Sequence, residues 1–200
     1  MQLAISTATA ACSVALLKCG TVVAERHELV GRGHAEHLIP MIEALPNRGK
    51  AELIWVDCGP GSFTGTRVGL AAARALGLAW GAEVRGVSSL ALIAAPQAHA
   101  VDRIGVALIG GHGEIFVQDF ATAPLAALSS IESLTPDAAA ERIRSQLVLG
   151  SGAEALVSAR GFGMAEAALP RAADVLVLPE SLRDLPPRAI YVRAPDARAA

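Results

Sequence analysis

The stretch from Leu53 to Gly81 constrains the fold of this chain more than any other. An apolar run, Leu53 to Val56, ends on Asp57 and gives way to Cys58-Gly59-Pro60-Gly61-Ser62-Phe63-Thr64-Gly65-Thr66-Arg67-Val68-Gly69-Leu70. A buried strand therefore meets a Gly/Pro turn that frees the backbone, and Ser62 or Thr64 stands where it can cap a following helix. That helix, expected from about Gly65 to Trp80, carries Gly65, Gly69, Ala73, Gly77 and Gly81 at every fourth position. Small residues then align along one face. Each interior glycine costs about 1 kcal/mol relative to alanine, a cost that is understandable where another backbone approaches closely. The approaching backbone can be the chain's own sheet or a partner's helix. The turn is not a phosphate-binding loop of the Gly-x4-Gly-Lys-Ser/Thr type, although the N–H groups of a helix start can receive an anion.

Around this stretch the chain alternates strand and helix signals. Leu3 and Ile5, Val14 and Leu16, and Thr21 to His27 read as three short strands joined by tight turns. From His34 to Leu45 the period becomes helical, with Leu38, Met41, Ile42 and Leu45 on one stripe, Pro40 inside it and Pro46 to Gly49 ending it. Gly86-Val87-Ser88-Ser89 leads into a further helical run through Ala95, and Pro96 to Asp102 reads as a crossing between lobes. Ile104 to Ile109 and Glu114 to Phe120 are expected strands around the Gly110-Gly111-His112-Gly113 turn. Helices are expected at Pro136 to Ser145 and Gly152 to Ala159, strands near Leu147 and Val175, and an extended tail from Pro186-Pro187. The pattern is that of an α/β protein with two lobes, residues 1–97 and 98–200.

Composition narrows the functional classes. Mean hydropathy is +0.44 and 52% of the residues are hydrophobic. However, 41 of the 200 residues are alanine, and no apolar run reaches the ~18 residues of a membrane span. The first charged residue is Lys18, so Met1 to Leu17 lacks the basic start of a signal peptide. Three cysteines without a paired spacing suit a reducing compartment, and the expectation is a cytoplasmic protein. Seventeen basic residues against nineteen acidic ones, scattered along the chain with seven aromatics, show no stripe for gripping nucleic acid.

The segment Gly59-Pro60-Gly61-Ser62-Phe63-Thr64-Gly65, followed by Arg67-Val68-Gly69, resembles the signature of the bacterial TsaB (YeaZ) family. Supporting matches are Ala11-Cys12-Ser13-Val14-Ala15-Leu16, Gly33-His34-Ala35-Glu36 with Leu38-Ile39-Pro40, Gly86-Val87-Ser88-Ser89-Leu90, and Tyr191-Val192-Arg193-Ala194-Pro195. The resemblance implies an ASKHA fold, like actin and Hsp70, with two related lobes each built on a mixed β-sheet flanked by helices. It implies a non-catalytic subunit of the tRNA threonylcarbamoyladenosine machinery, paired as a heterodimer with the larger paralogue TsaD, the threonylcarbamoyltransferase, and joined by the ATPase TsaE. The first two long helices would form the partner surface. On them His34, Glu36, Leu38, Met41, Ile42 and Leu45, then Gly69, Ala73 and Gly77, are the candidate interface residues. A homodimer through the same helices is plausible in isolation. Contact with tRNA would come only through the complex, and no membrane or cofactor is expected.

Two enzymatic readings stand beside this one. An ASKHA kinase or ATPase would place an Asp at the end of the first strand. The position here is Ser6, and the equivalent turn of the second lobe has Ile109, so neither offers a carboxylate to a metal–phosphate site. A peptidase M22-like glycopeptidase would need a catalytic constellation, and no Ser/His/Asp order or HExxH spacing is present. His34 and His37 give at most two metal ligands. Cys58, before the glycine turn, is either an activated thiol or a small buried side chain.

Overall fold

Leu3, Ala4, Ile5 and Ser6 are all buried, so the first strand has no solvent face and must lie inside a sheet covered on both sides. In the computed structural model, which describes residues 1–97 and 101–192, this strand, β1 (Gln2–Ser6), is the centre of a five-stranded sheet. It pairs antiparallel with β2 (Ala11–Lys18), which pairs antiparallel with β3 (Thr21–Leu29). After helix α1 (His34–Glu43), β4 (Leu53–Asp57) runs parallel to β1. After helix α2 (Phe63–Trp80), β5 (Glu83–Val87) runs parallel to β4.

Helix α3 (Ser89–Ala94), capped by the Ser88 hydroxyl on the Ala91 N–H at 3.1 Å, leads to a second sheet that repeats the plan. Central β6 (Arg103–Gly111) pairs antiparallel with β7 (Glu114–Thr122), which pairs with β8 (Leu125–Ala127) and with β9 (Glu132–Leu134). Helix α4 (Pro136–Arg142) then leads to β10 (Leu147–Leu149), parallel to β6. Helix α5 (Ala153–Arg160) leads to β11 (Met164–Glu166), parallel to β10. Two mixed sheets of one topology, each flanked by helices, is the α/β arrangement expected.

Side-chain alternation sorts the core into three layers. Leu3, Ile5, Val14, Leu16, Ile54 and Val56 face α1 and α2. Ala4, Leu17 and Trp55 face the other way, against α3, Ile104, Val106, Phe116 and Phe120, so α3 lies between the two sheets. Ala107, Ile115, Val117 and Val148 meet α4 and α5.

Some elements differ from the sequence reading, and length explains most of them. Strands β8, β9 and β11, of three residues each, went unread because so few residues carry no periodic signal, and β5 went unread because Glu83, Arg85 and Gly86 interrupt its apolar run. The strand expected near Val175 is instead a run of tight turns, Ala172–Val177, whose Ala172 N–H donates to the Ser13 hydroxyl of β2 at 3.0 Å. The expected tail from Pro186 follows a return to the first sheet: Leu185 exchanges two backbone hydrogen bonds with Gly86, and the Ile190 N–H donates to the Cys58 carbonyl at 2.9 Å. Part of the expected crossing (residues 98–100) and Arg193 to Pro195 of the last motif lie outside the described residues.

Asp174, in the turn that covers β2, is pushed up to about 6, chiefly by burial; Arg171 opposes this and Glu25 adds to it. Because the folded value lies above the unfolded one, its contribution to stability is present in acid and is lost as pH rises from 3.8 through about 6. Replacing Asp174 with asparagine is expected to leave stability at the acid end unchanged and to raise it near neutrality. Thermal melts of both proteins across that window check the sign.

Candidate functional site

The glycine turn after β4 is organised by one carboxylate. Asp57 ends the strand fully buried and accepts three hydrogen bonds: from the Ser6 hydroxyl and the Ser89 hydroxyl, both at 2.7 Å, and from the Gly59 N–H at 2.9 Å. Among the described residues no cation pairs with it, and burial pushes its pKa upward against the pull of those three donors. Gly59 has φ +87°, which a side chain disfavours, and the Gly59–Pro60 peptide is cis. Gly61 packs directly on the Ala8 carbonyl, leaving no room for a Cβ. Ser62, rather than Thr64, caps α2: its hydroxyl accepts from the Gly65 N–H at 3.1 Å. Phe63 is exposed, with the Arg67 guanidinium 3.2 Å over its ring.

This turn forms one wall of a cleft of about 1140 Å³ between the lobes. Ala8 to Ala10, Gly61 to Phe63, Ile109 to His112, Ser151 and Ile190 to Val192 line it, and no carboxylate is among the lining residues. Ser6 does not reach the cleft, because it is buried with its hydroxyl committed to Asp57. Ile109 is 63% exposed at the opposite turn. Cys58 is buried against Val56 and Pro186, and burial, with Asp57 beside it, pushes its thiol up to about 12. It is therefore a small core side chain and not an activated nucleophile.

The small-residue stripe on α2 is spent on the chain's own sheet. A Cβ on Gly65 would collide with the Thr7 carbonyl, and one on Gly69 with the Thr7 hydroxyl. A Cβ on Gly77 would stand 2.6 Å from Val84 of β5, and Ala73 is fully buried. Gly69, Ala73 and Gly77, expected at a partner interface, therefore face inward and cannot touch a partner directly. The same holds for Leu38, Met41 and Ile42 of α1 and for Leu45 just beyond its end, which share one buried cluster with Leu3, Val14 and Ile54. His34 is buried too, with Nε2 3.3 Å from the Ala11 carbonyl, whereas exposed Glu36 and His37 point elsewhere; His37 Nδ1 lies 3.5 Å from Glu28. The helical stripes were legible, but a buried stripe on an amphipathic helix marks its own core first.

What the helices leave outside is an apolar strip that the stripes did not name. Leu78 is 88% exposed, Ile39 of the adjoining α1 is 43% exposed, and Ala71, Ala75 and Ala79 lie beside Leu78 on the outer face of α2. No helix of the described residues is long and apolar enough to cross a membrane.

A family model described as TsaD, tRNA N6-adenosine threonylcarbamoyltransferase, matches residues 20–159. The chain belongs to that family. Within it the chain stands with the TsaB (YeaZ) proteins. It is 39% identical over 127 residues to the tRNA threonylcarbamoyladenosine biosynthesis protein TsaB of Escherichia coli K12, covering 59% of this chain and 54% of that protein. The protein of the same description from Haemophilus influenzae is 37% identical over 123 residues, covering 57% and 51%. The chain thus spans about half the length of the curated relatives it matches. The solved structure of YeaZ from Pseudomonas aeruginosa superposes with a TM-score of 0.79 at 25% identity, over 95% of this chain and 98% of that one. A polyphosphate/ATP-glucomannokinase from Arthrobacter, with a TM-score of 0.50 at 10% identity over 88% and 95% of the chains, shares the ASKHA-type fold alone.

Proposed function

We propose that the chain is a non-catalytic subunit of the tRNA threonylcarbamoyladenosine modification complex, binding and activating the larger transferase paralogue. The observation that carries this reading is the apolar strip on α1 and α2. Leu78, nine-tenths exposed, adjoins the exposed Ala71, Ala75 and Ala79 on α2, and with Ile39 of α1 they form the kind of contiguous apolar surface that a partner covers. Membership of the transferase family, and relatives named for tRNA threonylcarbamoyladenosine biosynthesis, supply the choice of partner. The interface then consists of the outward residues of the two helices, Glu36, Ile39, Ala71, Ala75 and Leu78, while Gly69, Ala73 and Gly77 hold α2 in place. A TsaE-type ATPase joining the pair, and a homodimer when the paralogue is absent, belong to the same proposal.

The cleft supports the non-catalytic half of the reading. A metal–phosphate site needs carboxylates aimed into it, and among the described residues the lining has none. Leu78→Glu is the direct test. Burying a leucine contributes about 2 kcal/mol, so the variant should bind the co-expressed paralogue at least roughly thirtyfold more weakly. Its own melting curve should stay within about 0.5 kcal/mol of the parent. Size-exclusion showing an unchanged complex would sink the interface. Tight, stoichiometric ATP–magnesium binding by calorimetry would revive the kinase reading.

A further inference from the structure

Seen along the sequence, the basic residues are scattered; folding gathers three of them. Phe63, Arg67 and Arg74 fall at i, i+4 and i+11, on one flank of α2, and Arg188 arrives from the returning C-terminal segment. The three arginines line a groove of about 930 Å³ between α2 and residues 185–191, with Leu70, Ala71 and Ile190 also in its lining, while Phe63 stands outside it beneath the Arg67 guanidinium. No carboxylate lies in the lining, and none of the three arginines is in an ion pair among the described residues. Their fixed partners are neutral. Arg67 donates to the Tyr191 hydroxyl at 2.9 Å and lies over the Phe63 ring, and Arg74 donates to the Pro187 carbonyl at 2.6 Å. Two exposed aromatic rings, Phe63 at 65% and Tyr191 at 64%, stand at the Arg67 end.

A chain of net charge −2 has here a local field of one sign. The hydrogen bonds to a carbonyl and a phenol orient two guanidiniums without neutralising them, so their charge remains for an anion. Arg67 and Arg74 are two helical turns apart, roughly 10 Å along the axis. That spacing suits an extended polyanion better than one compact phosphate. Aromatic faces beside a cationic track are the pairing that single-stranded nucleic acid uses, phosphates on the arginines and bases against the rings. An acidic peptide would use the charge but not the rings.

We propose that this groove binds a single-stranded RNA segment directly, with Arg74 and Arg188 on its phosphates and Tyr191 beneath a base. The choice of RNA over other polyanions rests on the functional reading above; the groove itself does not. The groove borders the apolar strip of the two helices and shares Ala71 with it, while Arg188 and Tyr191 belong to the returning C-terminal segment.

The test is fluorescence anisotropy of a labelled oligouridylate with the isolated chain, from about 50 to about 200 mM salt. Arg74→Ala and Arg188→Ala should each weaken binding roughly five- to tenfold at the low end and flatten the salt dependence by about one ion apiece. Arg67 is left in place because it packs on Phe63. Tyr191→Ala should weaken binding without changing the salt slope, and Tyr191→Phe should restore it. Binding unaffected by the double arginine variant overturns the assignment. So does oligoglutamate competing as well as the RNA, which would indicate an acidic protein segment, or ATP doing so, which would indicate a mononucleotide. Co-purification with the transferase paralogue is scored on the same double variant. A complex retained with RNA binding lost supports the groove. A paralogue that never co-purifies, even with the parent chain, counts against the functional reading, while the titration still decides the groove.

Discussion

Leucine in place of Gly69 is expected to unfold the first lobe, lowering the melting temperature of the isolated chain by about 10–15 °C. A Cβ at this position already collides with the Thr7 hydroxyl and stands 3.7 Å from Ile5. Thr7 cannot swing aside cheaply, because it is fully buried and its hydroxyl donates to the Gly65 carbonyl at 2.7 Å. Overpacking of a filled interior costs about 1–3 kcal/mol, and orphaning the Thr7 hydroxyl adds about 1–3 more. For a chain of this size each kcal/mol moves the midpoint by roughly 2–4 °C. The sequence alone suggests the opposite outcome, a soluble lobe that has lost its partner. Circular-dichroism melts decide between them: a parent-like midpoint with a lost complex would mean that α2 turns Gly69 outward.

The contrast shows how far the residues could be read. Strand and helix order in the first lobe was legible because β1, β2 and β4 alternate or run apolar over five to eight residues, and α1 and α2 keep a helical period over ten and eighteen. The turn chemistry was legible as well, since Ser62 and Ser88 stand where helix caps belong. Direction was not. A stripe of small residues states that something comes close, and only the placement of Thr7 and Val84 shows that the neighbour is the chain's own sheet. The C-terminal return was invisible for a related reason. Residues 185–190 attach through backbone hydrogen bonds to Gly86 and Cys58, and backbone groups carry no sequence signature. The arginine groove depends on that return, so it too appears only in the folded chain.

Removing the Asp57 carboxylate is the second large expected effect. In Asp57→Ala, the Ser6 hydroxyl, the Ser89 hydroxyl and the Gly59 N–H all lose their acceptor inside the protein. Each buried donor left unpaired costs about 1–3 kcal/mol, so the sum is about 3–5 kcal/mol after partial relaxation. Asp57→Asn should behave differently, because an amide oxygen can still accept from Gly59 and Ser89 while the amide N–H donates to Ser6. The two variants also separate geometry from charge. Burial raises the pKa of Asp57 above its unfolded value, so its contribution to stability is present in acid and is lost as pH rises above 3.8 towards the folded pKa. The asparagine variant lacks that titration. Its stability relative to the parent should therefore improve with rising pH across this window, while the alanine variant stays less stable throughout. Urea unfolding of the three proteins at several pH values measures both effects, and an alanine variant as stable as the parent would show that the three donors find other acceptors.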